Sequence, residues 1–158
     1  MAYSTIAKIR QEAGFQNNTN IPDSLVTQFM TSATYVVNGY VARRYSLTNL
    51  SGATFTGSQA AAVLEEAERL MAAGKLLLQQ YQGQQMGETN GQAKVDAAQK
   101  ILDDIASGTL RLIDTNNGEF TGDVPTAASG ILPTSTLPPR ENSDPATSER
   151  KFSVDKKW

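Results

Sequence analysis

Residues 58–82 read SQAAAVLEEAERLMAAGKLLLQQYQ. Val63, Leu64, Ala67, Leu70, Met71, Gly74, Leu77, Leu78 and Tyr81 recur at the three- and four-residue spacing that lines one side of an α-helix. Glu65, Glu66, Glu68, Arg69 and Lys75 fall largely off that side, and Glu65 precedes Arg69 by one turn, the spacing of a surface ion pair. Leu76, Leu77 and Leu78 in succession exceed a single apolar stripe. Either this helix is central, or Leu76 and Leu78 face another subunit. Gly74 in a helix interior costs roughly 1 kcal/mol relative to Ala, which close approach of a second backbone would offset.

The flanking segments supply the rest of a bundle. Upstream, Leu25, Val26, Phe29, Met30, Ala33, Val36, Val37, Tyr40 and Val41 trace one stripe over about Pro22–Tyr45. Pro22 suits a first helical turn, and Arg43 and Arg44 place positive charge in the last. Gly39 invites the same close approach as Gly74. A shorter helix is expected over Ser4–Ala13, capped by the Ser4 hydroxyl and stopped by Gly14. Downstream, Val95, Ala98, Ile101, Leu102 and Ile105 predict a fourth helix over about Gly91–Ser107, ended by Gly108. The expected fold is all-α, an antiparallel bundle of about four helices over residues 1–113.

Residues 114–158 differ in character. TLRLID and EFTGDV flank TNNG, the pattern of a small β-hairpin with Asn-Gly in its turn. Five of the six prolines then fall between Pro125 and Ser148 among many Ser and Thr, a composition poor in groups to bury. The stretch ends SERKFSVDKKW. Phe152, Val154 and Trp158 alternate with polar residues and share one side of an extended chain, as in a strand that docks on another sheet edge. Three outcomes stay open for this segment: docking on a neighbouring chain, folding back on its own bundle, or remaining unstructured.

Composition removes several function classes. The chain has no His and no Cys, so it lacks the commonest general base and metal ligands and cannot form disulfides. Asp103 and Asp104 are adjacent on a helix and point about 100° apart, too divergent to share a proton or a metal. No catalytic residue, metal or cofactor is expected. The net charge of −2 lacks the dense basic footprint of a nucleic-acid binder. No apolar run approaches the ~18 residues of a membrane span, and the first residues lack the pattern of a secretory signal.

VNGYVARRY, EEAERLMAAGKLLLQQY, VDAAQKILDDIASGTLRL and RKFSVDKKW, in that order, resemble the small helical head–tail connector (adaptor) proteins of long-tailed bacteriophages, including their phage Mu-like relatives. Ile105, Ala106, Gly108 and Leu110 match the pattern that closes the last bundle helix. Arg150, Phe152 and Asp155 match a terminal motif of the family, with Val154 standing where an Arg is usual. The resemblance implies a virion protein of the neck, at the capsid portal vertex, assembled in the host cytoplasm. It implies a ring, commonly of twelve subunits, between the portal protein and a tail-side neck or stopper protein. DNA would pass through the channel without specific binding. On this reading Arg150, Phe152, Val154, Asp155 and Trp158 form the partner-docking arm, and Arg43, Arg44, Leu76 and Leu78 are candidates for the subunit interface. The rival is a soluble helical binding or regulatory module that contacts nucleic acid through Arg10, Arg43 and Arg44.

Overall fold

The computed structural model describes residues 2–120. Four helices follow in chain order: α1 (Ile6–Glu12), α2 (Asp23–Val41), α3 (Gln59–Gln80) and α4 (Gln85–Ser107). The fold is all-α. α3 packs on each of the other three helices, which answers why its sequence is apolar on more than one side. Leu76 has no exposure and belongs to the chain's own core. α3 and α4 run antiparallel: Gly74 lies against Gly91 and Val95, Leu78 against Gly91, and Tyr81 against Gly87. α2 and α4 run parallel, since Gln99 donates to the Tyr40 hydroxyl and, further along both, Arg44 reaches Gly108.

Local chemistry sets the helix ends, and several differ from the sequence expectation. Ser58 caps α3, its hydroxyl accepting from the Ala61 N–H at 3.1 Å. Gly108 ends α4 at φ 84°, where residues with a Cβ are strained. The cap of α1 is Thr5, not Ser4: the Thr5 hydroxyl accepts from Lys8 N–H, while Ser4 is buried. α2 ends at Val41 rather than Tyr45, so Arg43 and Arg44 stand in the turn beyond it. α4 starts at Gln85, a turn and a half earlier than expected. Glu88 steadies that start by accepting from the Gly83 N–H at 2.7 Å, as an acidic first-turn residue does. Gly87 lies before the expected start of this helix and Gly91 at it. Both are inside α4, where the lack of a side chain lets α3 approach.

That approach is close. A Cβ on Gly74 would stand 2.7 Å from the Gly91 carbonyl oxygen and from Val95 Cγ2. Only hydrogen fits on either side of the α3–α4 crossing. Gly39 behaves differently from the expectation: among the described residues nothing lies within 4 Å of a Cβ built on it.

Among the described residues the core holds one acid. Glu68 is 0% exposed, although its charge suggested the outer face. Its spacing from Leu64 and Met71 places it on the buried stripe. A buried carboxylate needs donors around it, and three converge. The Tyr3 and Ser4 N–H groups donate to Oε2 at 2.5 and 2.6 Å, and the Thr34 hydroxyl donates to Oε1. Glu68 thereby joins the chain's beginning and α2 to α3. The Tyr3 hydroxyl, which donates to Asn38 Oδ1 at 2.7 Å, is pushed up to about 12 by burial and then by the Glu68 charge.

Ion pairs fix α1 from outside. The expected Glu65–Arg69 pair is not made. Glu65 pairs with Lys8 on α1, and Arg69 pairs with Glu66. Arg69 Nε also lies 3.3 Å from Glu12 on α1, whose carboxylate pairs with Lys94 of α4. The sequence spacing was permissive, but cations from neighbouring helices compete for the same carboxylates.

The segment after α4 is a single antiparallel bridge, Ile113–Glu119, rather than a two-stranded hairpin. Asp114 organises its turn, with Oδ1 accepting from the Asn116 and Gly118 N–H groups at 2.8 and 2.7 Å. The positive φ falls on Asn117, at 62°. The bridge docks on the start of α3: Ala60 N–H donates to the Ile113 carbonyl at 3.1 Å, and Thr115 N–H to the Thr54 carbonyl at 3.2 Å. Leu112 and Phe120 are buried, and the Phe120 ring meets Phe55, which meets Tyr3, both edge-on at about 6 Å. The packed body therefore extends beyond residue 113, through Phe120.

Gly74→Ala should destabilise the protein by about 1–3 kcal/mol through overpacking, whereas Gly39→Ala should be neutral or stabilise by up to about 1 kcal/mol. Urea unfolding of both variants measures this contrast. Glu68→Leu strands the Tyr3 and Ser4 N–H donors, while the Thr34 hydroxyl keeps the Met30 carbonyl at 2.9 Å as acceptor, and it should lower stability by about 2–4 kcal/mol in the same experiment.

Candidate interaction surfaces

The chain positions charged and aromatic side chains where α2 and α4 both end. Arg44 Nη2 donates to Glu119 Oε1 at 2.9 Å, and the Tyr45 hydroxyl donates to the same oxygen at 2.9 Å. Tyr45 also accepts from the Leu112 N–H at 3.2 Å. A Cβ on Gly108 would overlap the Arg44 guanidinium, so this glycine serves two ends: it turns the chain and leaves room for the arginine. Arg111 Nη1 lies 3.6 Å from the other Glu119 oxygen. The Tyr45 hydrogen bond, joined by the Arg44 hydrogen bond, holds the Glu119 carboxyl below its ordinary range, against the opposing effect of desolvation. Burial, the largest cause, raises the Tyr45 hydroxyl. The group joins the segment after α4 to the segment after α2 and has the character of a clasp.

The residues proposed from the sequence divide accordingly. Arg44 is engaged in the clasp. Arg43 is exposed, its guanidinium 4.4 Å from the centre of the Tyr40 ring, a cation–π contact. Arg10 faces inward: it donates to Asp23 at 2.7 Å and to the carbonyls of Asn18 and Ile21. It holds the loop between α1 and α2. Arg10, Arg43 and Arg44 thus have three different environments and form no common basic stripe. Leu78 is half-buried against Gly91, and Leu76 offers no surface. Arg150, Phe152, Val154, Asp155 and Trp158 lie outside the described residues.

Two surfaces were not singled out in the sequence. On α2, no residue between Asp23 and Arg43 is charged, and its outward side carries Ser24, Gln28, Thr31, Gly39 and Tyr35, which is 73% exposed. The signal was present: Tyr35 stands two residues from both Ala33 and Val37, opposite their stripe. On α4, Met86 is 90% exposed. Starting that helix at Gly91 hid Met86 in a presumed connection.

Among the described residues, no group of three or more acidic, His or Cys side chains is placed to hold a metal. No helix among them is long and apolar enough to cross a membrane. Comparison of the chain with protein families, curated proteins and solved structures found no match.

The clasp has a pH dependence of defined sign. The folded Glu119 carboxyl titrates below its unfolded value, so its stabilisation is present above the unfolded pKa and is lost as pH falls through the folded one. For so exposed a pair the effect should be under about 1 kcal/mol. Thermal melts from neutral pH down through the carboxylate range should show Glu119→Gln converging on the unmodified protein at the acid end.

Proposed function

We propose that the chain is a non-enzymatic structural protein of a bacteriophage virion. Copies of it form a ring adaptor between the capsid portal and the tail, extending the DNA channel. The observation that carries the reading is the role of the residues on which the resemblance rests. Ile105 is fully buried, Gly108 gives α4 its left-handed cap, and the Leu110 N–H returns to the Asp104 carbonyl at 2.9 Å. The residues that carry the resemblance close the bundle, and this supports the reading.

The uncharged outward side of α2, with Tyr35 exposed on it, supports side-by-side packing of copies. An uncharged surface with an exposed aromatic is one that a partner can bury without desolvating a charge. A body with a slight acidic excess, eleven Asp and Glu against nine Lys and Arg over residues 1–120, also suits a channel through which DNA slides without being held. In this reading the arm formed by Arg150, Phe152, Val154, Asp155 and Trp158 anchors each subunit on the portal protein, and a tail-side neck or stopper protein binds the ring's other side. The nucleic-acid module draws less support, because Arg10 and Arg44 are engaged within the chain.

Deleting residues 148–158 should leave the helical circular dichroism and melting temperature of the protein unchanged and abolish its co-sedimentation with portal rings. Retention of normal portal binding by the truncated chain would overturn the anchoring role. A purely nucleic-acid-binding chain would instead show DNA affinity falling steeply with salt.

A further inference from the structure

Among the described residues, four glycines lie inside helices: Gly39 in α2, Gly74 in α3, and Gly87 and Gly91 in α4. A glycine there weakens its helix. For three of them the chain's own packing gives the reason, since α3 and α4 meet at Gly74 and Gly91, and Tyr81 lies on Gly87. Gly39 has no such reason. It is exposed, and no described atom lies within 4 Å of a Cβ built on it. One turn earlier on the same side stands Tyr35, largely exposed, and no described residue hydrogen-bonds its hydroxyl. A protruding ring and an open notch thus sit side by side on a helix that carries no charge between Asp23 and Arg43.

The ring and the notch fit each other through a second copy of the chain. Residues four apart lie one above the other on the same flank of a helix. In two antiparallel helices related by a two-fold axis, like flanks meet. An axis level with position 37 therefore sets Tyr35 of each copy beside Gly39 of the other, and both notches are filled at once. A parallel copy would set ring against ring and leave both notches empty. The antiparallel arrangement also opposes the two helix dipoles, and Gln28 and Thr31 continue the strip without charge. The 19 residues of α2 make a strip about 28 Å long, which covers roughly 300 Å² of each copy at an ordinary helix width. Standard interfaces bury about 800 Å² per partner, so the pair is a weak one that exchanges readily.

We propose that the outward side of α2 is a two-fold contact between two copies of this chain, with Tyr35 of each seated on Gly39 of the other. The contact is isologous: the same patch serves both partners, so association stops at two. A ring instead joins two different patches. The pair is therefore the state of the free chain. It goes beyond the adaptor reading, which it shares only in having a copy cover α2, and its weakness lets that cover be exchanged when a larger assembly forms.

Sedimentation equilibrium of the full-length chain without portal, from micromolar concentrations upward, tests this. The average mass should rise from one chain towards two and stop there. Tyr35→Ser removes the ring and Gly39→Tyr fills the notch, and each should weaken association about tenfold or more. Tyr35→Gly combined with Gly39→Tyr exchanges ring and notch and keeps the composition of α2. It should restore association to within a few-fold of the unmodified chain, which only a contact between these two positions does. Both positions are exposed, so circular dichroism melts should verify that each variant folds. A chain that stays single at every concentration, a mass that climbs past two chains, single variants that associate normally, or an exchanged variant that stays as weak as they are would each overturn the proposal. Portal co-sedimentation of Tyr35→Ser separates the two ideas: a chain that never pairs but still binds portal leaves the adaptor reading standing and removes this one.

Discussion

A carboxylate without solvent sits in the middle of α3, and the arrangement around it follows from its need for hydrogen-bond donors. A buried carboxyl such as that of Glu68 is tolerable only where N–H and O–H groups replace water. The chain supplies them from the beginning of its own length and from α2. Apolar contacts alone would let the segment before α1 slide or fray. Directional bonds to one carboxylate fix where it crosses, and so fix where Tyr3 meets Phe55 and where α1 begins. Glu12, held between Arg69 and Lys94, secures the other end of that short helix. At seven residues, α1 is too short to persist alone and depends on these tethers.

The second constraint is steric. α3 and α4 touch backbone to backbone at Gly74 and Gly91, so α3 can be surrounded by the other helices without leaving voids. The same closeness explains the glycines in α4, which weaken the helix locally but permit the contact. With α3 enclosed, the Leu76–Leu78 run is consumed largely within one subunit. Surface available to other molecules shifts to the outward sides of α2 and α4.

The described surface is consequently uneven. Where α2 and α4 end, charged and aromatic groups are paired with one another in the Arg44–Tyr45–Glu119 clasp. At the beginning of α4 an acidic, apolar depression has no partner among the described residues, and along α2 an uncharged side has none either. In the adaptor we propose, an uncharged flank is what a neighbouring copy covers.

Helix number, order and approximate extent were legible from the sequence, because apolar spacing at 3.6 residues and Gly108 as a stop are local properties of a chain in water. So was the close approach at Gly74. The fate of each polar group was not. Glu68 lies inside despite its charge, Glu65 and Arg69 pair with other residues than each other, Gly39 faces open space, and α4 begins well before its apolar stripe. Each of these turns on which groups the neighbouring helices bring within reach, and hydrogen bonds, ion pairs and steric fit act only across such short distances. Local pattern therefore determined the helices, and tertiary packing alone decided the partners.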